Sequence, residues 1–317
     1  MEKSLPKESN GVLAHYKPEQ TKILKKPKKH IPRHLLGKRE NEMLDFSKVT
    51  KVSLPKRGEY RMRAHCNPLS DTAFPFPLNP NYVNWSKMFP FYFSEKSEKK
   101  NIDELYLNTK EYPLDFSEKP GPLQSGNKGS FSVDFIDIGC GYGGLLFDLS
   151  TTFPEKKSFG IEIRDKVVNY VGEKIQALRF NENAFHNISV IRHNSMRHLT
   201  NFFRKGQLEK IFICFPDPHF KSKNHQRRIV NQGFLSEYAY VLKPGGLIYA
   251  ITDVEELHLW HQKHLRNHSM FEELSEDEVE KDKCLPLIRN SSEESQKVER
   301  AGGMKYACVF RCVRRET

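Results

Sequence analysis

The chain has no apolar run approaching the roughly 18 residues of an ordinary transmembrane helix, and no internal repeat. Its first ten residues, MEKSLPKESN, lack the apolar core of a secretory signal. Cysteine is sparse. The six thiols, at positions 66, 140, 214, 284, 308 and 312, form no CxxC pair, and several fall inside apolar strand-like runs. That spacing excludes a zinc-ribbon or disulfide framework and fits free thiols in a reducing compartment. The sequon at Asn187 is then incidental.

Excess charge is also missing from most of the chain. Residues 1–63 hold 17 Lys and Arg against 7 Asp and Glu, whereas the remainder holds 34 against 33. Nearly all of the net +11 therefore sits in one basic arm, densest at 25-KKPKKH-30. A basic arm on a near-neutral body suggests a polyanionic partner, or a nuclear import signal.

Residues 1–55 are rich in Lys, Pro and Ser and lack periodicity, so a disordered basic N-terminal arm is expected there. Residues 56–93 carry aromatic residues and prolines and read as a segment packed on the core without regular structure of its own. Residues 94–131 are polar and turn-rich, which suggests a linker or insertion. The domain proper spans 132–317. Strands are expected at 133–138, 158–163, 188–193, 210–215, 247–253 and 304–313. Helices are expected over 143–153, 165–180 (capped by Asp165), 196–203, 226–242 (ended by Gly245–Gly246) and 255–267. This alternation predicts an α/β, doubly wound, mostly parallel sheet. Such sheets bind ligands beyond the carboxyl ends of their strands, where every motif below falls.

The first strand runs into 134-DFIDIGCGYGG-144. Glycines at 139, 141, 143 and 144 allow a tight turn and bring a ligand against the backbone. The pattern is D-x-GxGxGG, not the dinucleotide GxGxxG. Asp137 would oppose a pyrophosphate and favour a cationic sulfonium with its ammonium group, which tilts the choice to S-adenosylmethionine. Glu162, ending the second strand, suits both ribose hydroxyls, a role either cofactor requires. Asn194 and Ser195 end the third strand, where an amide and a hydroxyl suit an adenine edge.

The fourth strand enters 215-FPDPHFKSKNHQRR-228. Prolines on both sides of Asp217 make this backbone stiff and non-helical. A base has Phe215, His219 or Phe220 to stack on, and Asp217 to accept hydrogen bonds from its edge. Lys221, Lys223, Arg227 and Arg228 follow with no acid among them, where a nucleic-acid phosphate would lie.

Together, DIGCGYGGLL, GIEIR, FPDPHFKSKNHQRR and ITDVEELHLW closely resemble the tRNA guanine-N7 methyltransferases, in particular the eukaryotic catalytic subunit. Upstream, 61-RMRAHCNPLSD-71 resembles that subunit's RQRAHSNP segment. The similarity covers roughly 56–92 and 132–313. It implies a seven-stranded Rossmann-like methyltransferase sheet, S-adenosylmethionine as donor, and a guanine of tRNA, in the variable loop, as acceptor. Cofactor contacts are implied at Gly139, Glu162, Ile163, Arg164, Asn194, Ser195 and Cys214, and a catalytic aspartate at Asp217. Ser292, Glu293 and Glu294 of 291-SSEESQ-296 match a T/S-x-x-E-x-K/R element, although Gln296 stands in its basic position and Lys297 follows. RNA contacts are expected at His219, Lys221, Lys223, Arg227, Arg61 and Arg63, with His65 beside them. The resemblance further implies a non-catalytic WD-repeat, β-propeller subunit in a heterodimer, a nuclear and also cytoplasmic location, and neither a membrane nor a metal.

Guanine N7 carries a lone pair and no proton, so its attack on a sulfonium methyl needs alignment and charge stabilisation but no general base. Three other readings compete. An exocyclic-amine methyltransferase shares an Asp-Pro-aromatic loop but has consecutive prolines there. A nicotinamide-dependent oxidoreductase is disfavoured by Asp137. A catalytically silent RNA-binding subunit is disfavoured by the intact Asp217, Glu162 and glycines.

Overall fold

The computed structural model describes residues 51–62, 74–93, 105–120 and 131–314. Of the arm expected over 1–55, residues up to 50 lie outside the described residues, as do Arg63, His65 and Cys66; residues 51–55 correct the disorder reading, because Val52 is buried and exchanges two 2.8 Å backbone hydrogen bonds with the Asn181 side chain. Among those described, no helix is long and apolar enough to cross a membrane, and no group of three or more His, Cys, Asp or Glu is placed to hold a metal.

Seven strands form one sheet: β1 (Phe135–Ile138), β2 (Ser158–Glu162), β3 (Ile188–Arg192), β4 (Leu208–Cys214), β5 (Leu242–Thr252), β6 (Phe271–Glu273) and β7 (Tyr306–Cys312), in spatial order β3-β2-β1-β4-β5-β7-β6. Neighbours from β3 to β5 are parallel, while β7 is antiparallel to both β5 and β6. This is the doubly wound, mostly parallel sheet expected from the sequence. The chain builds outward from β1 to β3, then returns to lay β4 on the other side of β1. The order therefore switches between β1 and β4, and a crevice opens beyond their carboxyl ends.

The central strands formed where they were expected because their runs are apolar on both faces, as a sheet covered by helices requires. All four residues of β1 and all five of β2 are buried. The first described helix, α1 (Trp85–Met88), lies in the N-terminal segment. Then α2 (Gly144–Thr152) follows the glycine loop, and α3 (Asp165–Glu182) buries Val167, Val168, Val171, Ile175 and Leu178 at helical spacing. Asp165 is the first residue of α3 and not its cap. Its carboxylate accepts the Lys110 backbone N–H and pairs with Arg192.

The helix expected over 226–242 is interrupted. Ser222–Arg227 forms a 3-10 turn and α5 (Gln232–Val241) begins only after it, with α4 (Leu199–Phe202) and β4 preceding both. The Asn231 side chain accepts the Phe234 N–H and caps α5. Gly245–Gly246 does not end that helix either. β5 starts at Leu242, and the glycine pair lies in a register shift against β4, with Gly245 at a φ of +79°.

Residues 105–120 correct the linker reading of 94–131. Leu107, Tyr112, Leu114 and Phe116 are buried, and the Leu107 carbonyl accepts the Arg192 N–H at the edge of β3. Segment 74–93 holds α1 and short 3-10 turns, more regular structure than expected. After α6 (Glu255–Arg266), the acidic stretch contains β6 and α7 (Glu276–Glu280), followed by α8 (Cys284–Asn290) and α9 (Glu293–Arg300).

Candidate active site

The glycine loop leaves β1 at Gly139, whose φ is +75°, and a Cβ there would meet nothing within 4 Å. A ligand can therefore come against the main chain. Gly144 serves a different need. A Cβ on it would stand 2.1 Å from the Ser291 carbonyl oxygen and 3.4 Å from Ser292 Cα. The C-terminal element thus lies directly against the start of α2, which brings Ser292 to the glycine loop although 148 positions separate Ser292 from Gly144.

Beneath the loop lie two buried carboxylates. Asp137, on β1, is 2% exposed, and its Oδ1 has no hydrogen-bond partner among the described residues. Desolvation, helped by the charge of Glu162, pushes its carboxyl up to about 7. Glu162 is 4% exposed and accepts four hydrogen bonds: from Gly141 N at 3.1 Å, and from Arg164 N, Nε and Nη2 at 2.9, 3.1 and 2.9 Å. The thiols of Cys140 and Cys214 are pushed up by burial and then by the charge of Asp137.

Around this pair the structure collects most of the expected cofactor residues. Ile163 follows β2, and its carbonyl accepts Arg192 Nε. The His193 N–H donates to the Glu162 carbonyl, which ties the end of β3 to β2, and buried Asn194 accepts the Met196 N–H at 3.1 Å, with Ser195 half-buried between them. Glu293 is ion-paired with Arg57, whose guanidinium also lies 4.1 Å above the Tyr142 ring of the glycine loop. Glu294 is exposed and pairs with Lys297 at 2.7 Å.

These donors fit S-adenosylmethionine. An unpartnered buried carboxylate oxygen suits a cationic ligand, a second carboxylate suits a diol, and the opening at Gly139 admits a close approach. The raised Asp137 carboxyl has a testable consequence. In the free protein it ionises near pH 7, and a neighbouring cation favours the ionised form, so affinity for S-adenosylmethionine should rise from pH 6 to 8 and then level. For the fold the sign is opposite. A carboxyl raised above its unfolded value of about 3.9 contributes stability that is complete below that value and lost as pH climbs through about 7. Asp137→Asn should therefore weaken the cofactor by about tenfold at pH 8, abolish the pH dependence, and leave the unliganded fold no less stable. Calorimetric titration at the two pH values checks this; equal wild-type affinity at both would remove Asp137 from the cation's surroundings.

Beyond β4, the chain enters Phe215 and His219 with φ of +50° and +46°, values side-chain-bearing residues seldom adopt. Between them Asp217 is one-third exposed, its Oδ1 accepting the His219 N–H at 3.2 Å. Phe220 is 67% exposed; Lys221 and Lys223 are exposed and Arg227 is half-buried, while Arg61 is exposed on the N-terminal segment. Arg228 departs from the expected basic face. It is 1% exposed and turned inward onto Trp260, with Nε donating to the Pro218 carbonyl and Nη2 to the Glu256 carboxylate, while Nη1 has no hydrogen-bond partner among the described residues.

Sequence reasoning missed Arg57, Tyr142, Glu256 and Trp260, and gave Arg228 to the phosphate surface. Their partners are distant in sequence, and only an aromatic inside a glycine loop, Tyr142, gave any local sign.

Strand order, glycine loop, buried acids and the carboxyl-end aspartate define a methyltransferase that takes its methyl group from S-adenosylmethionine. A family model described as "Putative methyltransferase" matches residues 132–308. A Kluyveromyces lactis relative is 49% identical over 268 residues, covering 84% of this chain and 86% of that one. An Arabidopsis thaliana relative is 45% identical over 274 residues, covering 86% and 96%. Both carry the name tRNA (guanine-N(7)-)-methyltransferase, and the chain belongs to their family. Among solved structures, the 16S rRNA methyltransferase KamB aligns at 12% identity and a TM-score of 0.41, over 57% of this chain and 88% of that one.

Proposed function

We propose that this chain methylates N7 of a guanine in tRNA, in the variable loop, giving 7-methylguanosine, and that it works beside a non-catalytic WD-repeat subunit. The observation that carries the reading is the pairing of β1 with β4 at the switch in strand order. Strands so paired lie about 4.8 Å apart, so the cofactor loop and the Asp217 loop share one crevice.

S-adenosylmethionine, when bound, supplies an electrophilic methyl on a cationic sulfur. The chain supplies position and charge. Gly139, Glu162, Ile163, Arg164, Asn194, Ser195, Cys214, Ser292 and Glu293 would hold the donor. Asp217 would face the guanine edge, orienting the base and offsetting the positive charge that develops on it. No residue need remove a proton from N7. His219, Lys221, Lys223, Arg227, Arg61 and Arg63 are assigned to the RNA, and 25-KKPKKH-30 to both RNA capture and nuclear import.

The test is methyl transfer from labelled S-adenosylmethionine to a mixed tRNA pool, with the product nucleoside identified, for the chain alone and with a WD-repeat partner. 7-Methylguanosine is expected. Another methylated nucleoside would overturn the substrate, and rates unaffected by the partner would remove it from the reading. Deleting residues 1–50 should weaken tRNA binding more at low salt than at high and flatten the salt dependence, since each lost phosphate contact lowers the slope by roughly 0.7–0.9. An unchanged slope in a salt titration would take the arm off the RNA.

A further inference from the structure

We propose that Arg228 is a positioning residue that sets the orientation of the Asp217 carboxylate through a single peptide plane. The inference rests on Asp217 acting as proposed above. Pro218 C=O and His219 N–H are the two ends of one planar peptide unit. At the oxygen end, Arg228 Nε donates to the Pro218 carbonyl at 2.9 Å. At the nitrogen end, the His219 N–H donates to Asp217 Oδ1 at 3.2 Å. Holding the oxygen therefore aims the N–H, and the N–H holds the carboxylate.

The backbone gives this peptide a reason to need holding. His219, with φ +46°, is a non-glycine residue in the left-handed region, and rotating the Pro218–His219 peptide would relieve it. Such a rotation would withdraw the N–H from Asp217. Arg228 opposes it from a fixed base. Its Nη2 donates to Glu256 Oε1 at 2.8 Å, and its guanidinium lies 4.6 Å over the Trp260 ring. Glu256 and Trp260 are four residues apart on α6 and so share a face. Trp260 is itself anchored through Nε1 to the Val230 carbonyl at 2.7 Å. The aspartate loop is thereby referenced to α6, which packs on β5, β6 and β7. Lysine offers neither the fork nor the flat face that these three contacts use together.

The test compares the parent with Arg228→Met, Arg228→Lys and Glu256→Gln, measuring single-turnover methyl transfer, KM for tRNA, S-adenosylmethionine Kd and Tm. Arg228→Met should lower kcat by about 100-fold, the cost typical of a reacting group misplaced by about 1 Å. Kd for the cofactor should stay within about twofold, because a group acting only in the transition state leaves ground-state binding alone. Arg228→Lys should recover part of the loss, since its ammonium reaches one of the acceptors. Glu256 is 59% exposed, so Glu256→Gln tests the same chain of contacts without opening the core. It should lower kcat by roughly five- to tenfold and add little to an Arg228 variant, as members of one network do. Parental kcat in folded Arg228→Lys and Glu256→Gln would overturn the inference, as would loss of cofactor affinity in step with rate. If the Arg228 variants do not fold, Glu256→Gln decides alone. Failure of the underlying reading looks different: the parent itself would make no 7-methylguanosine.

Discussion

Asp217→Ala is expected to lower methyl transfer to tRNA by about 1,000-fold, within the 10²–10³ range or a little above it for removing one preorganised electrostatic group. S-adenosylmethionine should bind within about twofold of its parental affinity, because the change removes nothing from the glycine loop. The environment supports that separation. Asp217 is one-third exposed beyond the end of β4, held by its own loop at His219 N, so its truncation opens no core cavity. Asp217→Asn sharpens the question of role. Asparagine keeps one acceptor but loses the negative charge, so a loss close to that of alanine would assign the work to charge on the developing cationic guanine. A mild loss with a raised KM for tRNA would assign it to base recognition. Single-turnover kinetics with a parallel cofactor titration gives both numbers. If Asp217→Ala lost cofactor binding and transfer together, the residue would be structural.

Glu162→Gln is expected to weaken S-adenosylmethionine by about 100-fold, which corresponds to about 2.8 kcal/mol at tenfold per 1.4 kcal/mol. Ribose hydroxyls would take the places of the Arg164 Nε and Nη2 donors on this carboxylate, and losing two such hydrogen bonds accounts for a loss of that order. The substitution also disturbs the free protein. The carboxylate accepts from Gly141 N and from three nitrogens of Arg164, and an amide would turn a donor toward some of them. Arg164 is only 17% exposed, so it would lose its counter-charge in a poorly hydrated place, and Tm should fall measurably. The two variants therefore separate cleanly: one spares the cofactor and loses the chemistry, the other loses the cofactor. Parental affinity in Glu162→Gln would confine Glu162 to its pair with Arg164.

The local signals that proved legible were those imposed by the sheet itself. β1, β2 and β4 lie between helices, so their runs are apolar on both faces, and their ends are marked by residues that break an apolar run: glycines, Glu162, and a proline-bracketed Asp217. The edge was harder to read. β6 has three residues and one neighbour, so no alternation develops over its length. α8 and α9 are short, and α9 is held by Ser292 and by its position against Gly144 more than by an apolar stripe. The Arg228 contacts were illegible for another reason. A run of cations beside a loop reads as a phosphate surface, and only the fold reveals that one of them faces Trp260. Likewise Gly245–Gly246 looked like a helix stop but occupies a bulge, because both uses place glycine at positive φ.

The position of β7 governs when this site can exist. It is the last strand in sequence, yet it is inserted between β5 and β6, and β6 has no other neighbour in the sheet. During synthesis, β5 presents an open edge until Tyr306–Cys312 has left the ribosome, and such an edge invites pairing with other chains. The segment carrying Ser291 and Ser292 emerges only shortly before it. A nascent chain with its glycine loop and aspartate loop already made still lacks a closed sheet until β7 is inserted, so the order of strands in the chain places that closure after both loops.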